Sequence, residues 1–177
     1  MPETLKKETS EAAREACSGM LRSIVAALDW ARYNGGIMVE ANIRYEGGLR
    51  CVAVHGPSQS VIETDAPVDN MGRGERFSPT DLVGTALASC VATTMGILAA
   101  RLEVDLTGMT ARVRKHMTAD PPRRIARLEV AITVPLDENH PQRTRLEAAA
   151  QGCPVRRSLH PEVVVEETFA WTGAATE

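Results

Sequence analysis

The run Leu82-Val83-Gly84-Thr85-Ala86-Leu87-Ala88-Ser89-Cys90-Val91-Ala92-Thr93-Thr94-Met95-Gly96-Ile97-Leu98-Ala99-Ala100 most limits the folds open to this 177-residue chain. Its apolar and small residues fall on every side of a helix. A surface helix keeps a polar face, so the segment predicts a helix enclosed by other structure. Ser78 supplies a cap for the free amides of the first turn, and Pro79 suits the first helical position, where no amide hydrogen is needed. The helix therefore runs over about 79–101. Gly84, Ala88, Ala92 and Gly96 recur every fourth residue and let a second helix or a sheet approach closely. The wider composition agrees, with 24 alanines against two Phe, two Trp and two Tyr.

Around this helix the pattern changes to a period of two. Residues 37–45 and 49–55 are β-rich and are separated by the hairpin turn Glu46-Gly47-Gly48, while 60–64 adds a third strand. Residues 65–78 hold Pro, Gly, Asp and Asn without a period and read as a loop. After the helix, 107–117 and 125–135 read as strands joined by Ala119-Asp120-Pro121-Pro122. In the second, Ala126, Leu128, Val130, Ile132 and Val134 alternate with Arg127, Glu129, Ala131 and Thr133, as in a strand with one buried face. A short helix over 141–151, a turn starting at Gly152-Cys153-Pro154 and a closing strand over 163–171 follow. Strands interrupted by one buried helix imply an α+β fold, not a parallel βαβ wind. Ahead of all this, residues 9–33 read as an amphipathic helix striped by Ala13, Cys17, Met20, Ile24, Leu28 and Ala31 and stopped by Asn34-Gly35-Gly36. The chain thus divides into a helical extension, 1–36, and a domain, 37–177.

Twenty basic residues against 23 acidic ones, net −3, argue against a nucleic-acid binder, which needs clustered positive charge. No uninterrupted apolar run approaches the ~18 to 20 residues of a membrane span, so no membrane partner is expected. The charged start, Met1-Pro2-Glu3-Thr4-Leu5-Lys6-Lys7-Glu8, is not a secretory signal, and the expected compartment is the cytoplasm. The preference for arginine over lysine, 17 to 3, is that of a GC-rich bacterial genome. In a reducing compartment Cys17, Cys51, Cys90 and Cys153 are not expected to form a static disulfide framework, and no C-x-x-C supports a zinc knuckle or thioredoxin-type motif.

A cysteine is a nucleophile only as a thiolate, against a reference pKa of ~8.5. Cys17 on its apolar stripe and Cys51 between Arg50 and Val52 read as packing residues. Cys90 lies among Ala and Val, where desolvation alone would raise its pKa and leave it inert. Cys153 occupies an N-cap position before Pro154, where helix amides favour a thiolate. His55, His116, His140 and His160 lie in different elements and read as surface and turn residues. A metal site of Cys90, Cys153 and His160 would be short of a ligand. Arg123-Arg124 and Arg156-Arg157 read as solvated faces.

Two stretches carry a resemblance. Phe77-Ser78-Pro79-Thr80-Asp81-Leu82-Val83-Gly84-Thr85-Ala86-Leu87-Ala88-Ser89-Cys90 resembles the proline-opened, cysteine-bearing helix of the osmotically inducible protein C and organic hydroperoxide resistance family. Ala149-Ala150-Gln151-Gly152-Cys153-Pro154-Val155-Arg156-Arg157-Ser158-Leu159 resembles its Cys-Pro turn, and the likeness extends over roughly 37–171. The resemblance implies antiparallel sheets around a long buried central helix in an intertwined homodimer, each active site taking residues from both subunits. It implies a two-cysteine thiol peroxidase without a bound cofactor. Cys90 would attack an organic hydroperoxide and become a sulfenic acid, Cys153 would condense with it, and an external dithiol would reduce the disulfide.

The peroxidase branch places a glutamate directly after the proline, to orient an arginine of the first hairpin. This chain has Thr80 there and Asp81 one residue on, ~100° around the helix. The hairpin arginine follows a Gly-Gly pair in the peroxidases. Here Gly47-Gly48 is followed by Leu49 and then Arg50, with Arg44 before the turn, and a one-residue displacement along a strand reverses its face. Arg44, Arg50 and Asp81 are therefore the candidates for the activating groups beside Cys90 and Cys153, with Arg76 a further cation. The competing reading is a non-enzymatic, redox-responsive or ligand-binding relative that lacks the activating pair. A structural interaction module built on the 9–33 helix is a third.

Overall fold

The computed structural model describes residues 38–173, so the helix expected over 9–33, with Cys17, lies outside the described residues. Strands β1 (Ala41–Gly47), β2 (Arg50–His55) and β3 (Val61–Asp65) come first, then a 3₁₀ turn (Val68–Asn70) and helix α1 (Pro79–Arg101). Strands β4 (Thr110–Met117) and β5 (Ile125–Val134), helices α2 (Arg143–Gln151) and α3 (Pro154–Ser158) and strand β6 (Val164–Trp171) complete the order.

Helix α1 starts where its capping residues require. Ser78 is extended, its Oγ accepts from the Asp81 amide at 3.1 Å, and the Asp81 carboxylate accepts from the Ser78 amide at 2.7 Å. This reciprocal box satisfies amides that the helix itself cannot. One face of α1 buries Leu87, Val91, Met95 and Ala99 against Leu128, Val130, Ile132 and Val134 of β5 and Leu146 and Ala150 of α2. Gly84 permits the closest approach to the sheet, since a Cβ there would lie 3.3 Å from Val113 Cγ2. Gly96, three steps along the same row, meets nothing within 4 Å. A four-residue step advances ~400°, so a row of fours drifts ~40° per step and leaves the face on which it began.

The strands form two three-stranded sheets, β1-β2-β3 and β4-β5-β6. The expected α+β class holds, and β1-β2, β2-β3 and β4-β5 are antiparallel. The β5-β6 pairing differs: it is parallel, in register from Arg127↔Val164 to Val134↔Trp171. A parallel neighbour needs a crossover of a dozen or more residues, and the segment containing α2 and α3 supplies it.

Among the described residues the enclosure of α1 is incomplete. Thr85, Ala86, Ser89, Thr93 and Ala100 are exposed, and Ile97 is 52% exposed. By length and apolarity α1 meets the measure of a membrane crossing, which the interrupted apolar run did not suggest, yet its inner face is that of a core helix. The hydroxyls of Thr85 and Ser89 donate to carbonyls one turn back, Asp81 O at 3.0 Å and Thr85 O at 2.7 Å, so the open face presents little free polarity. The β1-β3 sheet likewise makes its main contacts within itself. Ile43, Ala53 and Ile62 stand in cross-strand register, and Ile43, Tyr45 and Ile62 are exposed.

Candidate active site

Cys90 sits midway along α1 and is half-buried; Cys153 is fully buried and follows α2 directly. The amides of Gly152 and Cys153 donate to the carbonyls of Ala149 and Ala150 at 3.0 and 3.1 Å, ending α2. Cys153 then turns to an extended conformation as the N-cap of α3, with Pro154 at its first position. This sharp joint between two helices brings the Cys153 thiol and the Val155 amide to the Cys90 sulfur.

The two thiols are electrostatically unequal. Burial pushes Cys90 up, but hydrogen bonds led by that from the Cys153 thiol, with one from the Val155 amide, outweigh it and hold Cys90 below the usual thiol value, while the Thr94 hydroxyl donates to the Cys90 carbonyl at 2.8 Å. Burial and the bond to Cys90 push Cys153 up. Negative charge thus belongs on Cys90, with the proton on Cys153. This reverses the expectation that Cys90 would be inert and Cys153 activated. The α3 amides reach both sulfurs, Val155 each of them and Arg156 that of Cys153, so the difference rests on the deeper burial of Cys153 and on its thiol donating to Cys90.

The other candidates have partners of their own. Arg50 Nη2 lies 2.9 Å from Asp65 and 2.7 Å from Glu75, which raises Arg50 further and holds both carboxyls below their usual range. Arg44 pairs with Glu46 at 2.7 Å on the surface, and Arg76 with Glu63 at 2.8 Å. Asp81 caps α1 and meets Lys115 Nζ at 2.6 Å. None of these ion pairs includes either cysteine. Lys115, which the sequence analysis passed over, also lies 2.8 Å from Thr80 Oγ1. Its signal was its phase, since it shares the inward face of β4 with Val113. An open cleft of ≈ 530 Å³, lined in part by Phe77, Gly84, Thr85, Val113 and Lys115, flanks the first turns of α1. Cys51 lines a smaller cleft with Tyr45, Leu49 and Met117 and so is not simply a core residue. Arg156 also departs from the solvated face expected of Arg156-Arg157, because it pairs with the buried Glu167 at 2.7 Å.

A central helix packed on a mixed sheet, with its mid-helix cysteine hydrogen-bonded to a cysteine at the next helix joint, defines an α+β protein with a paired-thiol site. The family model described as OsmC-like protein matches residues 72–168, and the chain belongs to that family. A solved structure from Psychrobacter arcticus 273-4, described as a protein of the osmotic stress and detoxification response, is 41% identical with a TM-score of 0.70; the match covers 78% of this chain and 98% of that one. An organic hydroperoxide resistance protein OsmC of Legionella pneumophila shares the fold at 16% identity and a TM-score of 0.63, over 77% of this chain and 99% of its own. An organic hydroperoxide resistance protein of Elizabethkingia anophelis does so at 13% and 0.64, over 79% and 100%. No curated protein matches the chain.

Proposed function

We propose that the protein is a thiol-dependent reductase of organic hydroperoxides that acts in oxidative stress defence. Family membership supports a peroxide-related stress role. The observation that carries the finer reading is the Cys90-Cys153 contact with its unequal thiols. The Cys90 thiolate attacks the terminal peroxide oxygen, the O–O bond breaks, and the alkoxide takes a proton to leave as an alcohol. Cys90 is then a sulfenic acid. Cys153 attacks its sulfur after losing its proton, the S–O bond breaks, and water departs as the disulfide forms. An external dithiol returns both cysteines to thiols by exchange and is itself oxidised. No resident cofactor enters this cycle, and the compartment proposed is the bacterial cytoplasm.

The working unit proposed is an intertwined homodimer. The open small-residue face of α1 and the exposed Ile43-Ala53-Ile62 ladder support it, because each is an apolar surface that the described residues leave uncovered. Arg44 and Arg50 have acidic partners in their own chain, so a cation at Cys90 would require one of these pairs to lie beside the thiol in the dimer or to open. Those pairings favour the competing reading, a redox-responsive or ligand-binding relative without an activating arginine. Stopped-flow consumption of an alkyl hydroperoxide with a dithiol reductant separates the two. The native protein is expected to outpace Cys90→Ser strongly and to show a Cys90-Cys153 disulfide by mass spectrometry when oxidised. A native rate equal to that of Cys90→Ser ends the peroxidase reading.

A further inference from the structure

Along β6, Val165, Phe169 and Trp171 pack on the core, and Glu167 shares their face, opposite Val130 of β5. Its side chain is 4% exposed, and neither carboxylate oxygen has a hydrogen-bond donor. Arg156 Nη1 lies 2.7 Å from Oε1, off the hydrogen-bond axis but close enough for an ion pair. Taking a carboxylate out of water is costly, and an apolar residue would serve packing better. What the pair holds is α3. That helix has five residues and none is buried, while Val155 and Leu159 only half-bury against the core. A single turn has no stability of its own.

We propose that Glu167, acting through Arg156, is a positioning residue that ties the first turn of α3 in place so that the Val155 amide meets the Cys90 sulfur. Arg156 follows Val155 directly, so the tie acts next to the amide it places. The inference uses the assignment of Cys90 as the reacting thiol but does not need peroxide turnover. The groups that set the charge of Cys90 are the Cys153 thiol and the Val155 amide, with the Thr94 hydroxyl turned to the Cys90 carbonyl; no charged side chain of α1, α2, α3 or β5 contributes. Glu167 therefore reaches the sulfur through geometry, and the sign of its effect tells the two routes apart. Direct loss of a nearby negative charge would make Cys90 more acidic. Loss of the amide makes it less acidic.

The test is the pH profile of Cys90 alkylation by iodoacetamide in the reduced full-length protein, followed by peptide mass spectrometry. Glu167→Gln is expected to move the profile to higher pH and to slow alkylation on its rising limb about three- to tenfold, a tenfold loss corresponding to one pKa unit. Arg156→Lys, which keeps the pair, is expected to stay within about twofold of native. An unmoved or acid-shifted profile in a folded Glu167→Gln protein overturns the proposal. If that variant does not fold, Arg156→Met combined with Glu167→Leu leaves no unpaired buried charge and is read the same way. Because no peroxide is used, failure of this test leaves the peroxidase reading intact, and the converse holds.

Discussion

Replacing Cys153 by alanine and by serine isolates what the second thiol does before any peroxide arrives. Both variants remove the resolving sulfur, but only serine retains a hydroxyl that can donate to Cys90. A hydrogen bond to a charged group contributes roughly 1.5–3 kcal/mol. Cys90 is half-buried, so solvent replaces part of that loss and the lower end applies. At 1.36 kcal/mol per unit, Cys153→Ala should raise the pKa of Cys90 by about one unit. The sign follows from the bond: a lost donor destabilises the thiolate, so the alkylation profile moves to higher pH, with the rate on its rising limb about tenfold lower. The rates should converge at alkaline pH, where Cys90 is ionised in every variant. Cys153→Ser should keep a profile close to native while failing to form a disulfide. The assay is iodoacetamide alkylation of Cys90 between pH 5 and 10, read by peptide mass. Coincident profiles for native and Cys153→Ala, or equal displacement of both variants, would refute the reasoning that this hydrogen bond holds the charge on Cys90.

Two further outcomes are expected. Hydrogen bonds from Lys115 and Ser78 outweigh burial and keep Asp81 below its usual range, so its contribution to stability is present above the unfolded value of ~3.9 and is lost as pH falls through the folded one; Lys115→Met should cost about 1–2 kcal/mol in urea denaturation at pH 7 and much less at pH 2, and an equal cost at both would place the effect elsewhere. Ile97→Arg, on the open face of α1, should leave the fold intact by circular dichroism and shift the sedimenting species to one chain, whereas an unchanged dimer would exclude that face from the interface.

Local patterns carried the fold as far as they reach. Ser78, Pro79 and Asp81 lie within one helical turn, so the start of α1 follows from capping chemistry alone. The alternation from Ala126 to Val134 likewise marks the buried face of β5, whose Leu128, Val130, Ile132 and Val134 form the core. The direction of β6 was not legible, because alternation is the same for a strand read either way and the crossover decides it. The pairing of Cys90 with Cys153 came from resemblance, and no local signal joins positions so far apart. Their unequal charge was hidden as well, since it depends on how deeply each sulfur is buried and on which thiol donates to the other. Glu167 was visible in principle. It falls in phase with Val165, Phe169 and Trp171, and a carboxylate on an apolar face signals a charge that must find a partner.

Among the described residues α1 is covered on one side, and the character of its open side is informative. Had Thr85, Ser89 and Thr93 been solvent-adapted positions, charged residues would serve there equally well. Instead the face is small and uncharged, and two of these hydroxyls are spent on the helix backbone. Such a surface gains little from water and loses little by leaving it. The uncovered Ile43-Ala53-Ile62 ladder lies on the hairpin sheet that also carries Arg44 and Arg50, the arginines that have no route to Cys90 in their own subunit's ion pairs. In the proposed homodimer one partner would cover both surfaces, and a dimer that did so without bringing a cation near Cys90 would favour the non-peroxidase reading.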